Sequence, residues 1–343
     1  MRFRLHPARA GKFPALPPFK RSYRNATGRQ PFRSRTTRVY PALLIFALFS
    51  AAAGLGCAGR TSKEPAPEQR DSAKVTYLDG IGRSVELAGH PKRIISLAPS
   101  VTEILYLLGV EDRIIGVTTH CNWPEAAKGR PKIGDLLNPN YELVLAAKPD
   151  LIIASTAGND RSTVFKLASL GLPVYVTAPR SVEKIFETVA DVGRITGRAR
   201  QGEELVAKMR ERLREVQHRL AGLPRTRAFF ITWFDPLLAP GKNTFENDVL
   251  LQAGVESITS GIDEFYPRYS LEQVLAHDPE VIITVAHTGN PLPDLRRVAG
   301  WQSLKAVRQG RVIVLSEVFQ HPSPRFVDGV EELARKLHPE RFP

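Results

Sequence analysis

At 343 residues, 43% apolar and 24% charged, the chain has the composition of a folded globular protein and the length for two ordinary domains plus an extension. Its net charge of +13 is concentrated at one end: residues 1–40 carry eleven Lys and Arg and no Asp or Glu, which leaves the remainder close to neutral. Without a clustered basic face the composition argues against a protein that tracks phosphates, and no nucleic-acid partner is expected.

The basic opening runs into "PALLIFALFSAAAGLGC" at 41–57. A positive region, about fifteen apolar residues and a small-residue end are the layout of a secretory signal. The run is shorter than the ~20 residues that span a bilayer as a helix. "GLGC" resembles the lipobox of bacterial lipoproteins, which implies lipid on Cys57 as the first mature residue; a secreted form cut near "SAAAG" is the alternative. We expect residues 1–57 to be the export signal, 58–74 a polar linker, and the mature protein to be periplasmic or at the cell surface. Cys121 is the only other cysteine, so a lipidated Cys57 leaves no disulfide within the chain.

From residue 75 short apolar runs alternate with helical stretches. "RIISLAPS" at 93–100 predicts a strand and a turn, with Ser100 or Thr102 capping the helix "TEILYLLGV". "RIIGVTT" is a second strand, "YELVLAAK" a helix, "DLIIAS" a strand, "VFKLASLG" a helix stopped by Gly171, and "LPVYVTA" a strand. Over 182–220 the pattern changes: Leu205, Met209, Leu213, Val216 and Leu220 recur at helical spacing among charged residues, which predicts one long amphipathic helix. The βα grammar then restarts with "AFFITWF", "TFENDVLLQAG", a further helix and strand, "RVIVLS" and a last helix at "GVEELARKL". Such alternation predicts an α/β protein of two lobes with mostly parallel sheets, 75–180 and 223–343, joined by the helix at 181–222.

One element is written twice. "YELVLAAKPDLIIAS" (141–155) and "LEQVLAHDPEVIITV" (271–285) share seven of fifteen residues, and a glutamate heads each copy, Glu142 and Glu272. Each glutamate follows the opening strand of its lobe at a similar distance, 49 residues from Arg93 and 45 from Arg227. We read the repeat as corresponding helices of two related lobes.

No phosphate-cradling loop, G-x-S-x-G or H-E-x-x-H occurs. His90, His120, His218, His277, His287, His321 and His338 are scattered, none paired at i, i+4, so no metal site and no catalytic residue is expected. A nucleophilic Cys121 would need a base and an electropositive setting, and neither is identifiable. Aromatic residues instead gather on loops after strands: Trp123, then Trp233 and Phe234, then Phe265, Tyr266 and Tyr269, then Phe319 beside Gln320 and His321. Ligands of open α/β sheets bind beyond the carboxyl ends of strands, so these loops suit a large, flat, partly apolar ligand.

The stretch "PKRIISLAPSVTEILYLLGVEDRIIGVTTHCNWPEAAKGRPKIGDLLNPNYELVLAAKPDLIIAS" resembles the first lobe of the substrate-binding proteins of ABC importers for cobalamin, siderophores and haem. The resemblance runs from about residue 75 to the C-terminus, and "THCNWPEAAKGRPKIGD" with the later "SPR" is most similar to the cobalamin binders. It implies two α/β lobes bridged by one long helix, no enzymatic activity, no cofactor, and a corrinoid held between the lobes of a monomer; haem or a ferric siderophore is the alternative. By the same resemblance Pro99, the His120–Trp123 loop, Trp233, Tyr266, Val318, Phe319, Gln320 and His321 would form the pocket. His120 and Trp123 stand where cobalamin binders tend to have Tyr, and Leu136 and Val318 replace aromatics found in some of them. Glu142 and Glu272 would each meet Arg residues on one subunit of a permease dimer that works with an ATPase. Independently of the resemblance, a carboxylate is favoured near a helix N-terminus, and its charge can steer docking. A two-lobed metalloenzyme, needing several Cys ligands, and a purely structural lipoprotein are the readings from other classes.

Overall fold

Two antiparallel strands, β1 (Val75–Leu78) and β2 (Ser84–Leu87), open the described part of the chain, which in this computed structural model comprises residues 74–286 and 293–343. The expected signal at 1–57 with Cys57, all of the linker before Lys74, and His287 lie outside the described residues. The hairpin turn is pinned at Gly80, whose N–H donates to the Val176 carbonyl at 2.7 Å. A Cβ there would stand 2.7 Å from the Ala178 nitrogen, so the chain needs glycine for this close approach.

The first lobe follows as β3 (Ile94–Ser96), α1 (Pro99–Leu107), β4 (Ile114–Val117), α2 (Tyr141–Ala146), β5 (Leu151–Ser155), α3 (Arg161–Ser169) and β6 (Val174–Thr177). Its four strands are parallel in the order β4-β3-β5-β6. Two helices, α4 (Val182–Ile195) and α5 (Ala199–Arg219), lead to the second lobe. That lobe runs β7 (Thr226–Ile231), α6 (Phe245–Gln252), β8 (Val255–Ser257), α7 (Leu271–His277), β9 (Val281–Val285), α8 (Lys305–Arg308), β10 (Val312–Leu315) and α9 (Phe326–Leu337). Its sheet is again all parallel, in the order β8-β7-β9-β10. Both sheets therefore place their strands second, first, third, fourth. The expected two-lobed α/β fold is the observed one, and the written repeat coincides with α2–β5 and α7–β9.

Continuous apolar runs make these strands because both faces of each sheet are covered. Alternate residues go to different cores. Ile94, Leu151, Ile153, Ala228, Phe230, Val281 and Ile283 share one cluster that spans both lobes and takes in Val189 of α4 and Met209 of α5. Their neighbours face outward into a separate core in each lobe: Ile95, Ile152 and Ala154 in the first, Phe229, Ile231 and Ile282 in the second. Full burial of one such side chain contributes roughly 1.5–3 kcal/mol, against about 0–1 for a surface ion pair. Shared packing, rather than the polar ties described below, is what holds the lobes to one frame.

The single helix expected over 181–222 is two. Helix α4 ends where Gly197 adopts φ +72°, and its last carbonyls are taken by Gly197 N–H (to Arg194) and Arg198 N–H (to Gly193, 2.6 Å). That pair of bonds is a Schellman closure, which reverses the chain. The two helices then pack closely at small residues. A Cβ on Gly202 would lie 3.1 Å from the Val189 carbonyl, and one on Gly193 3.3 Å from the Gly202 Cα. The periodicity counted from Leu205 to Leu220 belongs to α5 alone.

Candidate functional site

Beyond the carboxyl end of β3 the chain turns straight into α1, with Pro99 at its first position and half-buried. Proline's fixed φ suits that position. The expected caps are not formed there: Ala98 is the N-cap, and the buried Thr102 hydroxyl donates to Ser96 Oγ at 2.8 Å and lies 3.1 Å from Cys121 Sγ. Cys121 is thereby a packed core residue, 2% exposed, and no base adjoins it in these bonds.

The loop after β4 carries His120 and Trp123. Lys132 fixes this loop by donating to the carbonyls of Cys121 (3.2 Å) and Ala127 (3.1 Å). His120 is exposed, with Nε2 2.9 Å from Asp135 Oδ2. Trp123 is half-buried, and the Arg325 guanidinium of the second lobe lies over its ring, 4.3 Å from the centroid. In the second lobe the loop after β7 folds back on itself through reciprocal backbone bonds between Trp233 and Leu238. Trp233 is half-buried and its Nε1–H donates to the Asp235 carbonyl at 2.8 Å. Phe234 packs against Trp301, 5.6 Å between centroids, as part of the outer core.

Tyr266 is tied from within. Its hydroxyl lies 3.0 and 3.2 Å from the two carboxylate oxygens of Glu246, a buried residue in the first turn of α6. Burial pushes the Glu246 carboxyl above its usual range, an effect only partly opposed by the bonds from its own N–H and from Tyr266. Burial, then the adjacent Glu246 charge, pushes the Tyr266 phenol well up. The ring, not the hydroxyl, is what Tyr266 has left to offer.

After β10 a short 3-10 turn (Glu317–Gln320) presents Val318 and Gln320 half-exposed. Phe319 does not join them. It is 0% exposed and stacked on Phe230, 5.6 Å between centroids, so its expected place in a ligand surface is corrected to the core. The reason is the apolar packing behind the loop: the ring stacks on Phe230 in the shared core, and the α9 backbone lies so close that a Cβ on Gly329 would stand 2.7 Å from the Phe319 Cα. His321 is half-buried, with Nδ1 enclosed and without a hydrogen-bond partner, 3.8 Å from Glu103 Oε1.

Glu103 belongs to a cluster that sequence reasoning missed. It sits on α1, 2% exposed, and its carboxylate crosses to the second lobe. Ser323 Oγ donates to Oε2 at 2.5 Å, and Arg325 Nη1 lies 3.6 Å from Oε1. The available signal was one acidic residue inside the otherwise apolar "TEILYLLGV", with a Ser and an Arg close together in "SPR". A buried charge must find partners, so such a residue asks where its cation is.

Glu142 and Glu272 are exposed, each in the first turn of a copied helix. Asn140 caps the first through Leu143 N–H at 3.1 Å, and Ser270 with Gln273 forms a reciprocal capping box on the second. The bond from its own N–H, then that from Ser270, holds the Glu272 carboxyl below its usual range. The structure thus joins Trp123 and His321 into one seam around Arg325 and Glu103, while His120 on the same loop as Trp123 pairs with Asp135 instead. Pro99, Trp233, Tyr266, Val318 and Gln320 stand at strand ends of the two lobes. A separate polar pocket of about 360 Å³, lined by His90, Lys92, Asp112 and Arg113, lies near the opposite ends of the first-lobe strands. Among the described residues no group of three His, Cys, Asp or Glu could hold a metal ion, and no helix is long and apolar enough to cross a membrane.

A family model described as periplasmic binding protein matches residues 94–318. The chain is 29% identical over 313 residues to the uncharacterized ABC transporter substrate-binding lipoprotein YvrC of Bacillus subtilis, covering 89% of this chain and 98% of that protein. It is 29% identical over 248 residues to a vitamin B12-binding protein of Vibrio cholerae, covering 72% of this chain and 89% of that protein. Among solved structures, the periplasmic vitamin B12 binding protein BtuF of Vibrio cholerae superposes with a TM-score of 0.64 at 29% identity, covering 74% of this chain and 99% of that chain.

Proposed function

The chain belongs to the periplasmic binding protein family, and on that premise we propose that it is the exported substrate-binding component of an ABC importer that carries a cobalamin-type corrinoid. The observation that carries the reading is the pair of half-buried indoles, Trp123 and Trp233, at strand ends of opposite lobes. A flat macrocycle needs broad apolar faces with a few polar groups at their rim, and His120, Gln320 and His321 are such groups. Similarity to proteins named for vitamin B12 supports the same choice. A haem ligand is the second reading, favoured by His120: an exposed imidazole braced by Asp135 through Nε2 has the chemistry of an axial ligand.

In this account Cys57 carries the lipid that tethers the protein outside the cytoplasm. The protein acts as a monomer, and Glu142 and Glu272 dock onto a permease dimer driven by its ATPase. Neither glutamate is buried, so Glu142→Ala with Glu272→Ala should abolish ligand uptake by cells while leaving ligand affinity unchanged. Titration calorimetry of the purified chain against cyanocobalamin, haemin and a ferric hydroxamate tests the ligand. Tight one-to-one binding of cyanocobalamin alone is the expected result. Tight binding of haemin or the ferric chelate without the corrinoid would overturn it.

A further inference from the structure

We infer that Arg325 is the positioning residue of the site, a second-lobe side chain that sets the ring of first-lobe Trp123 for the ligand. The inference rests on the ligand reading above only for what Trp123 touches. Arg325 itself is defined by its contacts. It occupies the N-cap position of α9, and its backbone N–H donates to Ser323 Oγ at 3.3 Å. Its guanidinium covers the Trp123 ring at 4.3 Å, within the range where a cation is attracted to the π face. The same group lies 3.6 Å from the buried Glu103 carboxylate and 4.0 Å from Asp328.

Each of those carboxylates is itself anchored. Glu103 is held by the fully buried Ser323. Asp328 is held by Arg212 of α5 at 2.7 Å, and Arg212 also pairs with Glu331 at 2.8 Å. The result is a chain of alternating charge from the helix pair between the lobes to one indole at the seam. Trp123 is half-buried with its ring under the guanidinium, and the part of the ring that stays exposed is what we assign to the ligand. Lysine could supply the charge but not the planar fork that stacks and reaches two carboxylates at once.

The geometry also separates Arg325 from a simple interlobe tie. The Ser323–Glu103 bond already joins the lobes at this point, and the shared apolar core holds them on a larger scale. What Arg325 adds is the contact to Trp123.

Protein labelled with fluorotryptophan should show a fluorine NMR resonance for each of its three indoles, Trp123, Trp233 and Trp301, with Trp123→Phe identifying the first. Arg325→Lys should shift and broaden the Trp123 resonance and leave that of Trp301, buried in the outer core, in place. Cyanocobalamin affinity of the same variant should fall about threefold to tenfold, and Arg325→Lys should have little further effect once Trp123 is Phe. Should Arg325→Lys fail to fold, Arg325→Gln combined with Glu103→Gln keeps the seam neutral and is expected to move the same resonance. An unmoved Trp123 resonance in a folded Arg325 variant would overturn the inference. If the wild type binds no cyanocobalamin, the ligand reading fails while the resonance still decides the role of Arg325.

Discussion

The Asp150 carboxylate accepts the backbone N–H of Arg93 at 2.8 Å, and the Arg93 guanidinium in turn donates to the Ala147 carbonyl (2.6 Å) and the Lys148 carbonyl (3.1 Å). The second lobe repeats the exchange with Glu280 and Arg227. Glu280 Oε1 accepts Arg227 N–H at 3.1 Å, and the Arg227 guanidinium donates to the His277 carbonyl at 3.0 Å. Lys148 and Asp278, corresponding positions of the two copies, both have positive φ, 46° and 37°. The repeat is therefore a joint that clips the end of one helix to the start of the lobe's first strand, as well as the carrier of Glu142 and Glu272.

Removing either half of that exchange should cost stability without touching the ligand. Asp150→Ala removes the acceptor of the Lys92 and Arg93 N–H groups, and Glu280→Ala removes that of the Arg227 N–H. Both sites are exposed, so each loss is expected to be about 1 kcal/mol in urea unfolding. Equal stability of both variants and wild type would show the joint to be decorative.

Gly197 separates backbone strain from side-chain clash. Its φ is +72°, and an added Cβ would meet the His90 ring at 2.8 Å; Gly222 has φ +80° with nothing within 4 Å. Gly222→Ala should cost about 1 kcal/mol, the left-handed penalty alone, and Gly197→Ala clearly more. Thermal melts of the two variants side by side give the comparison, and equal losses would contradict the packing described at the α4–α5 turn.

The buried Glu246 should give the protein a pH signature. Burial raises its folded pKa above the ordinary 4.5, so the folded state holds this proton more tightly than the unfolded chain. Stability from this group is fully present below pH 4.5 and is lost as pH rises through the raised folded value. Glu246→Gln keeps an acceptor for Tyr266 and removes the titration. Relative to that variant, wild type should lose stability as pH rises above about 4.5. Parallel unfolding curves with no divergence across that range would argue that Glu246 is not desolvated.

What could be read from residues alone were features written locally. Runs such as "DLIIAS" and "EVIITV" announce doubly covered strands, and the shared "VLA" and "P" of the repeat announce two lobes of one design. The break at Gly197 was hidden because the charged and apolar spacing runs on into α5, so periodicity outweighed a single glycine. The Glu103–Ser323 bond joins residues 220 positions apart, and no local pattern encodes such a pairing. Phe319 shows a different limit. Sequence placed it on the loop after β10, but its ring is buried against Phe230, a partner 89 residues earlier that no local pattern reveals.

The central claim is that one ligand is gripped from both lobes at their strand-end loops. Hydrogen–deuterium exchange with and without equimolar cyanocobalamin reads this directly. We predict protection in residues 118–124 and 317–325 together with 232–238 or 264–268, and no change along 182–219. Protection confined to one lobe, protection around His90 and Arg113 instead, or none at all, would contradict the account.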